Sequence, residues 1–201
     1  MSGFTTKRRM SRDRRHNQLL EVAYAMIRSE GTDALTLARV AERAGVSKPI
    51  AYGHFGTRAG LLSALYRAYD ERQTEVMRTA LERAKSFRDT VTIISAAYVD
   101  CAIDAGPEIS AITAALSGSD ELDEVLQSCR DSFMEECRSA FAPFVPIRGQ
   151  RGQAALIAIV GVSDALSHAA AAKRISRVTA IDMLSAAIDG MLREHRKNNS
   201  S

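Results

Sequence analysis

Apolar residues recur along this chain at intervals of three and four, and no stretch sustains the strict alternation of a half-buried strand. Leu19, Val22, Ala23, Met26 and Ile27 mark one face of a helix from Arg12 to Glu30, which Gly31 stops. Thr36 is a good N-cap for a short helix over Leu37–Ala44, and Gly45 ends it because glycine tolerates positive φ. Ser47 opens a second short helix, Lys48–His54, with Pro49 in the first turn, where no amide donor is missed. A long helix then spans Thr57–Lys85 and, at 1.5 Å per residue, would run roughly 40 Å. Further helices read as Ser86–Ala105, Pro107–Ser117 and Ser119–Ala142. Pro143, Pro146, Gly149 and Gly152 mark a loop, followed by helices over Gln150–Ala172 and Val178–Arg196, with Lys197–Ser201 fraying. The pattern predicts an all-α protein of about nine helices.

Composition supports this and adds a charge asymmetry. The 201 residues are 46% hydrophobic and 25% charged, with only 4 prolines, as in an ordinary globular chain. Up to Arg58 there are 11 Lys/Arg against 5 Asp/Glu, and beyond it 16 against 19. A basic front on a mildly acidic body suits a polyanionic partner, although a solvated charged tail has the same composition. The cysteines Cys101, Cys129 and Cys137 match no zinc or redox spacing, and Cys129 and Cys137 fall on an apolar stripe, which suits buried, inert thiols. The N-terminus lacks the apolar core of a secretory signal, and the run Ala154–Val162 is too short to span a bilayer. A cytoplasmic protein without a membrane partner is expected.

The two short helices joined by Gly45-Val46-Ser47 read as a helix-turn-helix. Val40, Ala41, Ala44, Val46, Ile50 and Ala51 are apolar or small where the helices must meet, whereas Arg39, Arg43, Lys48, Tyr52 and His54 point outward. Such a second helix can lie in a major groove with its N-terminal residues at the base edges. Thr36, Lys48, Tyr52, Arg58 and the helix N-termini are candidates for phosphate contact. Lys48, Pro49, Ile50 and Tyr52 are candidates for base reading, since Gly53 offers no side chain to a base. The continuous stretch Leu35–Leu62 resembles the signature of the tetracycline-repressor (TetR) family. That pattern sets a threonine before the first short helix, then Ala-Gly-Val-Ser, a tyrosine and a phenylalanine in the recognition segment, and a polar-basic pair opening the long helix. Thr36, Ala44–Ser47, Tyr52, Phe55 and Thr57–Arg58 fill those places.

The resemblance implies three regions: a disordered basic arm (1–11), a three-helix DNA-binding domain (12–56), and a helical effector-binding and dimerisation domain (57–201). It implies a transcriptional repressor that binds a palindromic operator in double-stranded DNA through Thr36, Arg39, Ser47, Lys48, Pro49, Ile50, Tyr52, His54 and Arg58. A small-molecule effector would release it, and the last two long helices would make a homodimer. The faces Ile159, Val160, Ser163, Leu166, Ala170 and Ile181, Leu184, Ser185, Ile188, Met191, Leu192 are candidates for that contact or for the protomer's own core. By the same resemblance the effector pocket would be lined by Tyr98, Cys101, Ile112, Leu116, Leu126, Phe133 and Ile157. Asp100 with Asp104, and Asp164 with His168, stand one helical turn apart and would orient a polar effector if they faced inward. No phosphate loop, metal-ligand cluster or nucleophile–base pair is readable, so neither an enzyme nor a cofactor or metal is expected.

Overall fold

Local capping chemistry sets the helix boundaries in the structure, a computed structural model that describes residues 11–197. Ser11 accepts the Arg14 amide at 3.3 Å and opens α1 (Arg12–Glu30), which stops at Gly31 with φ +79°. Thr36 Oγ1 accepts the Arg39 amide at 3.2 Å and opens α2 (Leu37–Arg43). Gly45, at φ +66°, turns the chain into α3 (Lys48–Phe55), and Thr57 Oγ1 takes the Gly60 amide at 2.9 Å at the start of α4 (Arg58–Leu81). Ser86 opens α5 (Phe87–Asp104) by accepting the Asp89 amide, while Asp89 in return accepts the Lys85 amide at 3.0 Å. Then come α6 (Pro107–Leu116), α7 (Asp120–Phe141), α8 (Gly149–Ala171) and α9 (Arg177–Lys197). Among the described residues there is no strand.

Every helix expected from the apolar pattern is present, each end within one residue of its expected place except the end of the long helix. The long helix ends at Leu81 and not near Lys85, because the chain tightens into three-residue turns in which Arg83 donates to Ala80 O and Ala84 to Leu81 O. Gly149 and Gly152, loop markers in the sequence, both lie within α8, and at Gly152 a Cβ would come within 2.9 Å of the Ile147 carbonyl carbon, so this glycine serves a close approach of two backbone segments.

The chain divides into two units. The first runs through Tyr66 and takes in Pro107–Leu122, so α6 belongs with α1–α3 and the first turns of α4. Its core includes Leu19, Ala23, Met26, Leu35, Val40, Leu61 and Leu62, all excluded from solvent, each large side chain contributing about 1.5–3 kcal/mol. Within this unit α6 packs on α1, and Arg28 Nε holds Glu108 at 2.8 Å.

The second unit comprises Arg67–Gly106 and the chain from Asp123 on. Here α5, α8 and α9 pack against one another around Ile94, Val99, Leu156, Ile159, Leu184 and Ile188. Phe87 and Phe141 meet at 5.5 Å in the same core. The faces Ile159–Ala170 and Leu184–Leu192, candidates for a contact between copies, close this protomer's own core: Ile159, Val160, Ser163, Ala170, Leu184, Ile188 and Leu192 are buried. By length and composition α8 could cross a membrane, contrary to the short apolar run read from the sequence, yet Leu156, Ile159, Val160 and Ser163 are buried in the protein.

Candidate nucleic-acid interface

Two helices too short to be stable alone are held rigid by their neighbours. On α3, Ala51 and Phe55 are buried, and the positions between them face outward. Lys48 and Pro49 are exposed, Ile50 is 39% exposed and Tyr52 50% exposed. A cation, two apolar surfaces and a phenol are thus open to solvent on one short helix. Nothing comes within 4 Å of a Cβ built on Gly53, so its missing side chain flattens this face and meets no packing demand. Ser47 is exposed and makes no capping bond with its side chain, which leaves the hydroxyl open to an anion, whereas Pro49 has no N–H and the Ile50 amide donates to Ser47 O at 3.0 Å.

Other expected contact residues are engaged within the protein. Arg58 was expected at a phosphate. Its Nε donates to Leu35 O at 3.0 Å and its NH2 group to Thr32 O at 2.7 Å, so it ties the loop after α1 to the start of α4. Arg39 donates to Ala34 O at 2.9 Å and to Glu30 at 2.6 Å, and Glu30 also holds Arg43. These arginines, Arg39 foremost, keep the Glu30 carboxyl below the usual carboxylate range. Thr36 spends its hydroxyl on the α2 cap. His54 is half-buried at the end of α3, its ring 5.5 Å from that of His16 and 5.9 Å from that of Phe55.

Sequence reasoning passed over three positioning residues. Glu30 sits at the C-terminus of α1, where a carboxylate opposes the helix dipole, and that mismatch is a readable sign of a cationic partner. Gln18 donates to Ala44 O at 3.3 Å and is itself held by Arg15 at 2.5 Å, fixing the turn before α3. His16 had no motif to mark it. Of the basic arm, Arg12, Arg14 and Arg15 lie in the first turn of α1, whereas Lys7, Arg8 and Arg9 lie outside the described residues.

Arg58→Ala should lower the stability of the first unit by about 1–3 kcal/mol, because two backbone carbonyls lose a charged donor. Chemical denaturation of both proteins measures this; an unchanged midpoint would return Arg58 to the phosphate role.

A family model for bacterial regulatory proteins of the tetR family matches residues 19–65, from α1 through the first turns of α4. Residues 19–65 thus carry a segment of the tetR-family type. The HTH-type transcriptional activator FasR of Mycolicibacterium smegmatis is 32% identical over 92 residues, a match covering 46% of this chain and 42% of FasR, so less than half of either protein is compared. A TetR-family regulator from a Rhodococcus species aligns over 91% of this chain and all of its own, at 25% identity and TM-score 0.64. The fatty acid degradation regulator FadR of Bacillus halodurans shares the fold at 18% identity, over 90% of this chain and 97% of its own, with TM-score 0.58.

The residues that the TetR resemblance nominates for an effector pocket do not all gather. Tyr98, Phe133 and Asp164 do: the Tyr98 hydroxyl donates to Asp164 Oδ1 at 2.5 Å, and its ring meets Phe133 edge-on at 4.6 Å. Arg130, missed in the sequence, adds Nε at 3.3 Å from Asp164 Oδ2. Burial and the Asp164 carboxylate push the Tyr98 hydroxyl far above its usual range, so it stays a donor. Cys101 lies beside Tyr69, whose hydroxyl donates to the Cys101 carbonyl at 2.6 Å, and burial pushes its thiol up to about 11. Leu126 is half-buried on α7. Ile112 and Leu116 are buried on α6 in the first unit. Ile157 is 57% exposed, and Asp104 and His168 are exposed too. His168 Nδ1 meets the backbone oxygen of Asp164 at 2.7 Å and not its carboxylate, while Asp100 pairs with Arg177 at 2.5 and 2.6 Å. Burial pushes the Cys129 thiol up to about 12 and raises Cys137 further, which suits unreactive thiols.

Proposed function

We propose that this chain is a sequence-specific transcriptional regulator of double-stranded DNA, a repressor released from a palindromic operator by a small-molecule effector. The observation that carries the reading is the outer face of α3, where Lys48, Pro49, Ile50 and Tyr52 stand exposed on a helix anchored by Ala51 and Phe55. Lys48 suits a phosphate or a guanine edge, and Ile50 and Pro49 suit thymine methyl groups. The free Ser47 hydroxyl would help to fix the register on the backbone. By this reading Arg39, Arg58 and Glu30 shape the reader and touch DNA little.

A reader of two half-sites separated by one helical turn calls for a two-fold dimer. The surface of α8 and α9 supplies a candidate face. Ala154, Ile157, Ala158, Gly161 and Ala165 are exposed at helical spacing on α8, and Val178 and Met183 are 63% and 56% exposed on α9. Small residues there let helices of two copies approach closely. In the second unit, Tyr98, Phe133, Asp164 and Arg130 form the polar and aromatic corner best suited to an effector. FasR is an activator, and the same chemistry would serve that outcome if the operator lay elsewhere. A cytoplasmic, non-enzymatic role accords with this reading.

Fluorescence anisotropy with DNA from upstream of the gene, against a scrambled duplex at fixed salt, tests it. Tight binding to one palindromic site, weakened at least about tenfold by Tyr52→Ala or Lys48→Ala, is the expected result, each lost contact being worth about 1–3 kcal/mol. Equal, weak binding to both duplexes, unaffected by either substitution, would overturn it.

A further inference from the structure

We propose that Arg12, Arg15, His16 and His54 form a proton-linked site for a backbone phosphate of DNA, so that binding of the duplex takes up a proton. The inference rests on the DNA-binding reading above and adds to it a dependence on pH.

Arg12, Arg15 and His16 stand at i, i+3 and i+4 and so share one face of α1. Across from them is His54, in the last turn of the recognition helix. The two imidazole centroids are 5.5 Å apart, and both rings lie against Phe55, at 4.9 and 5.9 Å. Arg15 is steadied by Gln18, which bonds the turn leading into α3. The charged groups that act on His54 are therefore His16, Arg12 and Arg15, all from α1 and all cationic when charged. Asp13, three residues before His16, neighbours that ring on α1 but is not among the charges acting on His54, and the Arg58 guanidinium is turned to Thr32 O and Leu35 O.

Such a cluster is short of negative charge. In the free protein, burial foremost and then the cationic neighbours hold His54 below the ordinary histidine range, so it is neutral near pH 7. A phosphodiester brought to α3 supplies the missing anion and favours the imidazolium. The bound state then has the higher pKa. Protons are taken up at any pH between the free and bound values, and affinity rises as pH falls through that window. For one proton the gain is at most about tenfold per pH unit.

Phosphate contacts carry no sequence information, so a mixed-sequence duplex of about 30 base pairs suffices as the probe. Its affinity for the full chain would be measured at constant salt at about pH 6 and about pH 8. The wild type is expected to bind at least about threefold more tightly at the lower pH. His54→Gln keeps a hydrogen-bond donor but cannot titrate, and its ratio should fall to near one. Circular dichroism checks that His54→Gln folds as the wild type does, and the wild-type ratio alone decides the matter should that variant fold poorly. A wild-type ratio of one, or a His54→Gln ratio equal to the wild type's, overturns the inference and leaves the DNA-binding reading standing. Absence of binding to any duplex at either pH overturns both.

Discussion

Gly60→Ala is expected to destabilise the first unit by about 3 kcal/mol and to abolish tight DNA binding with it. A Cβ at this position would lie 2.2 Å from the Phe55 carbonyl oxygen and 3.3 Å from its carbonyl carbon. The obstacle is backbone, which has no rotamer to retreat into, so either α3 must give up its last turn or α4 must start elsewhere. Both routes disturb Phe55, the buried anchor of the recognition helix and the surface against which His16 and His54 rest. Gly53→Ala is the matched control, because nothing lies within 4 Å of its Cβ and alanine is the better helix former by roughly 1 kcal/mol. Thermal melts of both variants followed by helical circular dichroism measure the effect. A Gly60→Ala protein that melts with the wild type would mean that the α3–α4 corner is looser than its geometry.

Ile157→Glu is expected to convert the proposed dimer to monomer, weakening self-association by about 4 kcal/mol, or roughly a thousandfold. Ile157 is 57% exposed in the protomer, so a carboxylate there leaves the core of α5, α8 and α9 intact. In a two-fold contact built on this face, each copy would instead bury an unpaired charge close to its own symmetry mate. Sedimentation equilibrium separates the outcomes, with melting of the variant as a check on its fold. Should Ile157→Glu sediment as the wild type does, the exposed face of α8 is not the dimer contact.

Most of the fold was legible because its punctuation is chemical. Thr36, Gly31 and Gly45 act as read from the sequence: one hydroxyl caps, and two glycines adopt positive φ. Ser47 is the exception, standing at the head of α3 without a side-chain capping bond. What the pattern could not show was allegiance. Helix α8 is apolar on several sides, so period alone did not decide which stripe is buried, and Ile159 proved to be core where Ile157 is surface. Cations were equally ambiguous: Lys48 and Arg58 flank the same motif, yet one stands in solvent and the other is spent on two carbonyls more than twenty residues away in sequence. The Tyr98–Asp164–Arg130 cluster joins three helices and has no signature in any one of them.

The placement of α6 carries a consequence for how the protein is made. The first unit is interrupted in sequence by Arg67–Gly106 and recovers its last helix only with Pro107–Leu122. A ribosome that has released the recognition helix has therefore not yet released everything the unit needs, and Ile109 and Ile112 arrive only after α5 has been synthesised. The first unit cannot be complete before α5 is made, although α7, α8 and α9 still follow it. Nor can it be cut out at Tyr66 and grafted elsewhere as one piece, for such a cassette would leave behind the helix that covers α1.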